Sequence, residues 1–123
     1  MKTKGSWGKV NPFYQSKEWR ALREEKLEQN PICELCETIG LVTPANVVDH
    51  IIPIEVNEEL KLEPLNLQSL CEHQGSNNCH RQKTVTTRPF RSFVRFVKEM
   101  EDGKLRFICS PEARKKLLRF LKE

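Results

Sequence analysis

Two sets of residues in this chain combine types and spacings that could do chemistry. The first is Asp49-His50, then Asn66, then the run Cys79-His80-Arg81-Gln82-Lys83. A carboxylate and an imidazole from separated segments can hold one divalent cation and leave open positions for a phosphate oxygen and a leaving group. An adjacent imidazole, with a pKa near neutrality, can take a proton from water. An asparagine side chain can accept the other ring N–H and fix the tautomer and orientation of that imidazole. Together these types suit hydrolysis of a phosphodiester bond.

The second set is made of cysteines. Cys33-Glu34-Leu35-Cys36 has the two-residue spacing that lets both thiolates reach one tetrahedral zinc from a tight turn. Cys71 and Cys79, separated by seven residues, supply the other half. That gap is longer than the usual two to four, which keeps His73 open as a substitute ligand. Such a site contributes folding free energy on the order of 10 kcal/mol. Cys109 has no such partner nearby and reads as a small buried apolar residue.

These groups need elements to position them. Residues 1–15 carry scattered Gly, Ser, Asn and Pro without periodicity and read as a flexible arm. Ser16 is a suitable N-cap for a helix bearing Trp19, Leu22 and Leu27 on one face, which Asn30-Pro31 stops. Val47 to Ile52 is β-rich and closed by Pro53, so it is predicted to be a strand. Residues 54–65 read as an acidic loop or short helix, and a polar insertion runs from Glu72 to Asn78 before a helix opening at His80. A further helix is expected from Pro89, with Phe90, Phe93, Val94 and Val97 as its apolar stripe and Gly103 as its end. Leu105–Cys109 is predicted to be a strand, and Ser110-Pro111 opens a last helix with Ala113, Leu117 and Leu121 on one face.

Composition narrows the class. A chain of 123 residues, 37% hydrophobic and 31% charged, forms one domain with a thin core that a metal would help to hold. There is no secretory pattern at the start and no apolar run that could span a bilayer, so no membrane partner and a cytoplasmic location are expected. In that reducing compartment cysteines bind metal more readily than they pair as disulfides. The net charge of +4 is unevenly spread, with eleven Lys/Arg against five Asp/Glu from Thr84 onward and ten against twelve before it. The slightly acidic front suits a cation site, and the basic back suits phosphates. Residues 16–84 form the reacting unit and 85–123 a basic helical extension packed on it. Arg114, Lys115 and Arg119 of that extension, with Arg81 near the centre, are expected to meet nucleic acid.

The order Asp-His, Asn, His between two cysteine pairs resembles the HNH endonuclease family, most closely its small stand-alone phage and prophage members. The resemblance covers about residues 17–84. It includes Trp19-Arg20, Pro31, Val48-Asp49-His50-Ile51-Ile52-Pro53, Asn66-Leu67-Gln68-Ser69-Leu70-Cys71 and Cys79-His80-Arg81-Gln82-Lys83-Thr84. It implies an α+β fold, a ββα-metal (His-Me) finger with a structural zinc knuckle and added C-terminal helices. It also implies that Asp49 and His80 ligate a catalytic divalent ion, Mg²⁺ or Mn²⁺ with Ni²⁺ or Zn²⁺ as alternatives. His50 would then be the general base on DNA, Asn66 would orient His50 and pin the connecting loop, and Lys83 would meet a phosphate or the developing charge. A phage terminase is the protein partner that the resemblance implies. The Glu72–Asn78 insertion departs from the family pattern, where a second CxxC is more common. A zinc-stabilised binding module without turnover would require none of Asp49, His50, Asn66 and His80.

Overall fold

The computed structural model describes residues 11–73, 78–105 and 107–123. Its elements run in the order helix α1 (Lys17–Gln29), α2 (Glu34–Glu37), strand β1 (Val47–His50), strand β2 (Leu67–Leu70), α3 (Cys79–Thr87), α4 (Phe93–Glu101) and α5 (Pro111–Leu121). Short 3-10 turns stand at Pro12–Gln15, Glu58–Leu60 and Pro64–Asn66.

Each helix begins where a polar side chain can take an orphan N–H. Ser16 Oγ accepts from the Trp19 amide at 3.2 Å and Asn78 Oδ1 from the Arg81 amide at 2.9 Å. Ser92 and Ser110 do the same for α4 and α5. Asn30 ends α1 just before Pro31.

β1 and β2 pair antiparallel, with Asp49 opposite Gln68 and His50 opposite Leu67. The ribbon and α3 give the ββα arrangement of an α+β fold. Three apolar clusters hold it. Trp19 packs with Val48 and Leu67 beneath α1, and Leu35 and Leu70 pack with four cysteines. The third cluster joins Ile51, Ile52, Val56 and Leu60, beyond β1, to Phe96, Met100, Ile108 and Leu117. Through it α4 and α5 hold the loop that follows His50.

Three expectations change. Of the arm expected over 1–15, residues 1–10 lie outside the described residues, while Pro12–Gln15 is an ordered turn whose Phe13 and Tyr14 rings both approach Trp19, at 5.4 and 5.5 Å. The stripe expected from Phe90 holds in part, since Phe90, Phe93 and Val97 pack against the third cluster. The helix starts at Phe93, its buried residues are Phe96 and Met100, and Val94 is 77% exposed. Arg88 and Phe90 terminate the preceding turn instead, so the apolar periodicity of the segment spans two elements. The strand expected at Leu105–Cys109 is also absent among its described residues, since Phe107 has φ 59°, a left-handed conformation that no strand accepts. Leu105, Ile108 and Cys109 are buried there without a ladder, while Gln68 and Arg114 donate to the Ile108 and Leu105 carbonyls.

Candidate active site and metal centre

The cysteine cluster follows from α2 and the end of β2. Cys33, Cys36, Cys71 and Cys79 are all buried, none is in a disulfide, and their sulfurs lie within 4.8 Å of one another. Cys36 Sγ is 3.8 Å from Cys71 Sγ and 3.7 Å from Cys79 Sγ. Four thiolates about 2.3 Å from a tetrahedral zinc lie about 3.8 Å apart, so the spacing fits one such ion. Burial raises the pKa of Cys33 and of Cys79. Cys36 goes the other way: burial raises it, but hydrogen bonds from Thr43 and the other three cysteines bring it lower. A cation at the centre would offset the cost of ionising Cys33 and Cys79. His73, the alternative ligand, is turned away, with Nε2 3.0 Å from the Pro44 carbonyl.

Asp49 and His50 sit at the end of β1, and His80 at the start of α3 faces them. All three line one cleft of about 380 Å³, together with Tyr14, Glu55, Thr84, Arg88 and Arg91. Asp49 Oδ2 is committed to Lys83 Nζ at 2.9 Å and to Gln68 Nε2 at 3.2 Å. Its Oδ1 lies 3.5 Å from His80 Nε2. On the far side of that ring, His80 Nδ1 is 2.6 Å from Glu72 Oε1. Asp49 Oδ1 and His80 Nε2 can therefore ligate one ion and leave its other positions open. Among the described residues, the four cysteines are the one group of three or more metal-ligating side chains close enough to share an ion.

His50 is held on several sides. Its Nε2 is 2.9 Å from the Lys61 carbonyl. A carbonyl only accepts, so Nε2 carries the proton and Nδ1 is the basic atom. Trp19 stacks on the ring at 4.9 Å, and Phe13 and Tyr14 approach at 6.1 Å each. Burial lowers the His50 pKa below its ordinary 6.5, against the Lys61 hydrogen bond and the charge of Asp49, which raise it. The imidazole is thus neutral at neutral pH, as a general base must be. Tyr14 is pushed up to about 12 by burial and then by the charges of Glu55 and Asp49, so it stays a neutral hydroxyl at the cleft.

The ring N–H of His50 expected to go to Asn66 goes to the Lys61 carbonyl. Asn66 is fully buried and reads backbone instead: Oδ1 accepts from Ile52 N at 2.8 Å, while Nδ2 donates to the Ile52 carbonyl at 3.1 Å and the Leu60 carbonyl at 3.3 Å. It pins the loop whose next carbonyl, that of Lys61, holds the His50 ring.

Two cations are also placed differently from expectation. Lys83 is 2% exposed and bonds both Asp49 and the His50 carbonyl, so it braces the site from inside. Arg114 donates to the Met100 carbonyl at 3.1 Å and to the Leu105 carbonyl, which ties α5 to the end of α4. Arg81, Lys115 and Arg119 are exposed. The α5 residues Glu112, Ala113 and Lys116 border a separate cleft of about 290 Å³ against α1.

Sequence reasoning missed Tyr14, Gln68, Glu72 and the Lys61 carbonyl. Only Gln68 had a usable signal, because antiparallel pairing sets it opposite Asp49. The Lys61 carbonyl is backbone, and Tyr14 and Glu72 are drawn in by tertiary contacts.

A family model described as HNH endonuclease matches residues 33–86, a span that holds both cysteine pairs, Asp49, His50, Asn66, His80 and Lys83. The chain is also similar to a solved structure, the HNH endonuclease of the deep-sea thermophilic bacteriophage GVE2 with manganese ion. Identity is 37%, the match covers 63% of this chain and 79% of that one, and the TM-score is 0.56. No curated protein matches the chain significantly. A finger with these residues at one cleft, the matched span and the likeness to the phage enzyme agree, and the chain is a nuclease that belongs to the HNH endonuclease family.

Proposed function

We propose that this nuclease hydrolyses DNA phosphodiester bonds with a divalent cation held by Asp49 and His80 and with His50 as general base. The observation that carries the reading is the facing pair Asp49 Oδ1 and His80 Nε2, 3.5 Å apart, in the cleft that His50 also lines. The bound cation would supply charge stabilisation for the phosphate oxygens and the leaving oxygen. His50 takes the proton of the attacking water at Nδ1, because Nε2–H is already given to the Lys61 carbonyl. Lys83 and Gln68 hold Asp49 by Oδ2 and leave Oδ1 toward the ion. The GVE2 structure was solved with manganese, which supports Mn²⁺ or Mg²⁺ at this site. The four cysteines would hold a structural zinc, and Cys79, the first residue of α3, would tie the start of that helix, and with it His80, to the metal.

DNA would lie along the cleft, whose basic wall is formed by Arg88 and Arg91. The proposal extends to a phage terminase as protein partner, on the strength of the family resemblance, and co-purification with terminase subunits tests that part. The central experiment is nicking of supercoiled plasmid by purified protein, with and without Mn²⁺ or Mg²⁺. Ion-dependent conversion to open circles, lost in His50→Ala, is expected. Equal cleavage by that variant refutes the base assignment.

A further inference from the structure

Glu72 opens the insertion that separates this chain from the usual family pattern, and its backbone is fixed from two sides. Cys71, one residue before it, belongs to the cysteine cluster, and the Cys71 carbonyl accepts from the His80 amide at 3.2 Å. Asn46, at the foot of β1, clasps the residue itself: its Oδ1 accepts from Glu72 N at 2.8 Å and its Nδ2 donates to the Glu72 carbonyl at 3.0 Å. The carboxylate so placed meets His80 Nδ1 at 2.6 Å, the length of a charge-assisted hydrogen bond.

A carboxylate only accepts, so Nδ1 is protonated toward Glu72, which leaves Nε2, 3.5 Å from Asp49 Oδ1, as the nitrogen whose lone pair a cation set between the two would take. An isolated imidazole chooses its tautomer freely, and half of its choices put a proton where an ion must bind. Carboxylates behind a metal-bound histidine remove that freedom, and losing one typically costs 10–100-fold in metal affinity or activity.

We propose that Glu72 is a positioning residue for the catalytic cation, acting through His80 by fixing the Nδ1–H tautomer so that Nε2 faces Asp49. This rests on the reading that Asp49 and His80 hold the ion. The rival view is that Glu72, whose side chain is 49% exposed, makes an ordinary surface pair of little consequence.

The test uses zinc-loaded full-length protein in wild-type, Glu72→Ala, Glu72→Gln and Asp49→Ala forms. Long-range ¹H–¹⁵N NMR of the histidine rings, recorded at alkaline pH, reports the His80 tautomer without any added ion. Titration with Mn²⁺ reports affinity, and zinc content and melting temperature report folding. Wild type should show His80 as the Nδ1–H form. Glu72→Ala should shift it toward the other tautomer and weaken Mn²⁺ about 10–100-fold with zinc content unchanged. Glu72→Gln keeps an accepting oxygen and should recover the tautomer and much of the affinity. A wild-type His80 protonated at Nε2 overturns the proposal, as does Glu72→Ala with wild-type tautomer and affinity. Asp49→Ala separates the two ideas. Unchanged Mn²⁺ affinity in that variant removes the ion site and the proposal together, whereas a loss there and none in Glu72→Ala removes the role of Glu72 alone.

Discussion

Lys83 Nζ stands 2.9 Å from Asp49 Oδ2, and its side chain is 2% exposed. The same ammonium bonds the His50 carbonyl, so one cation on α3 ties together the carboxylate and the backbone of the two residues that end β1. The pair explains how a finger with so little core holds its reacting groups in register. Removing Lys83 leaves the largely buried Asp49 carboxylate, 11% exposed at the edge of the cleft, without its cation. Breaking a buried pair in this way typically costs about 3–5 kcal/mol. Lys83→Met should therefore lower stability by about that amount in urea unfolding. A midpoint within error of wild type would mean that the pair is only incidental to the fold.

The cysteine cluster predicts metal content. Purified protein should carry about one zinc per chain by elemental analysis. Cys33→Ser or a strong chelator should unfold it or lower its melting temperature sharply, since the metal would supply on the order of 10 kcal/mol. Cys109→Ser should keep the zinc, because Cys109 lies in the other core cluster, against the α4 and α5 side chains. Folded protein without bound metal would end the zinc assignment.

His50→Ala should lose about 10²–10⁴-fold in cleavage rate, the usual worth of a general base, while Mn²⁺ affinity stays near wild type. Burial lowers the pKa of this imidazole, so the folded protein keeps it neutral below the ordinary 6.5. The unfolded chain then binds a proton first as pH falls. Stability from this group is full above about 6.5 and declines as pH drops from there toward the depressed folded value. The acid limb of kcat/KM, measured at saturating Mn²⁺, should likewise lie below 6.5. A limb above 6.5 would contradict a depressed base.

The grip on DNA should come from the wall of the cleft. Replacing Arg88 and Arg91 by Gln should weaken binding and make the log–log salt dependence shallower, by about 0.9 for each phosphate no longer neutralised. Replacing Lys115 and Arg119, which are exposed on α5, should change the slope less. Arg114→Gln should act on stability instead, because its guanidinium holds the Met100 and Leu105 carbonyls. Fluorescence anisotropy with a DNA duplex at several salt concentrations decides between them. A slope altered only by the α5 changes would place the DNA on that helix.

The candidate set was legible in the sequence because the chemistry proposed for it needs particular residue types at short spacings. Asp49 and His50 are neighbours, His80 follows a cysteine, and CxxC is a two-residue turn, so local order alone marks them. The helix starts at Ser16 and Ser110 were legible for the same reason, since a cap bonds to amides within its own first turn. What sequence could not decide are distances across the chain and the register of packing. Asn66 suits a histidine ring or a loop equally well by type, and only the fold brings the Lys61 carbonyl to His50 and gives Asn66 the backbone of Ile52 and Leu60. Lys83 and Arg114 carry the charge of phosphate-binding residues, but burial beside Asp49 and beside two carbonyls commits them to the protein. A positive charge in sequence states what a side chain can bind. Which partner it finds depends on the low-dielectric surroundings that tertiary packing creates around it.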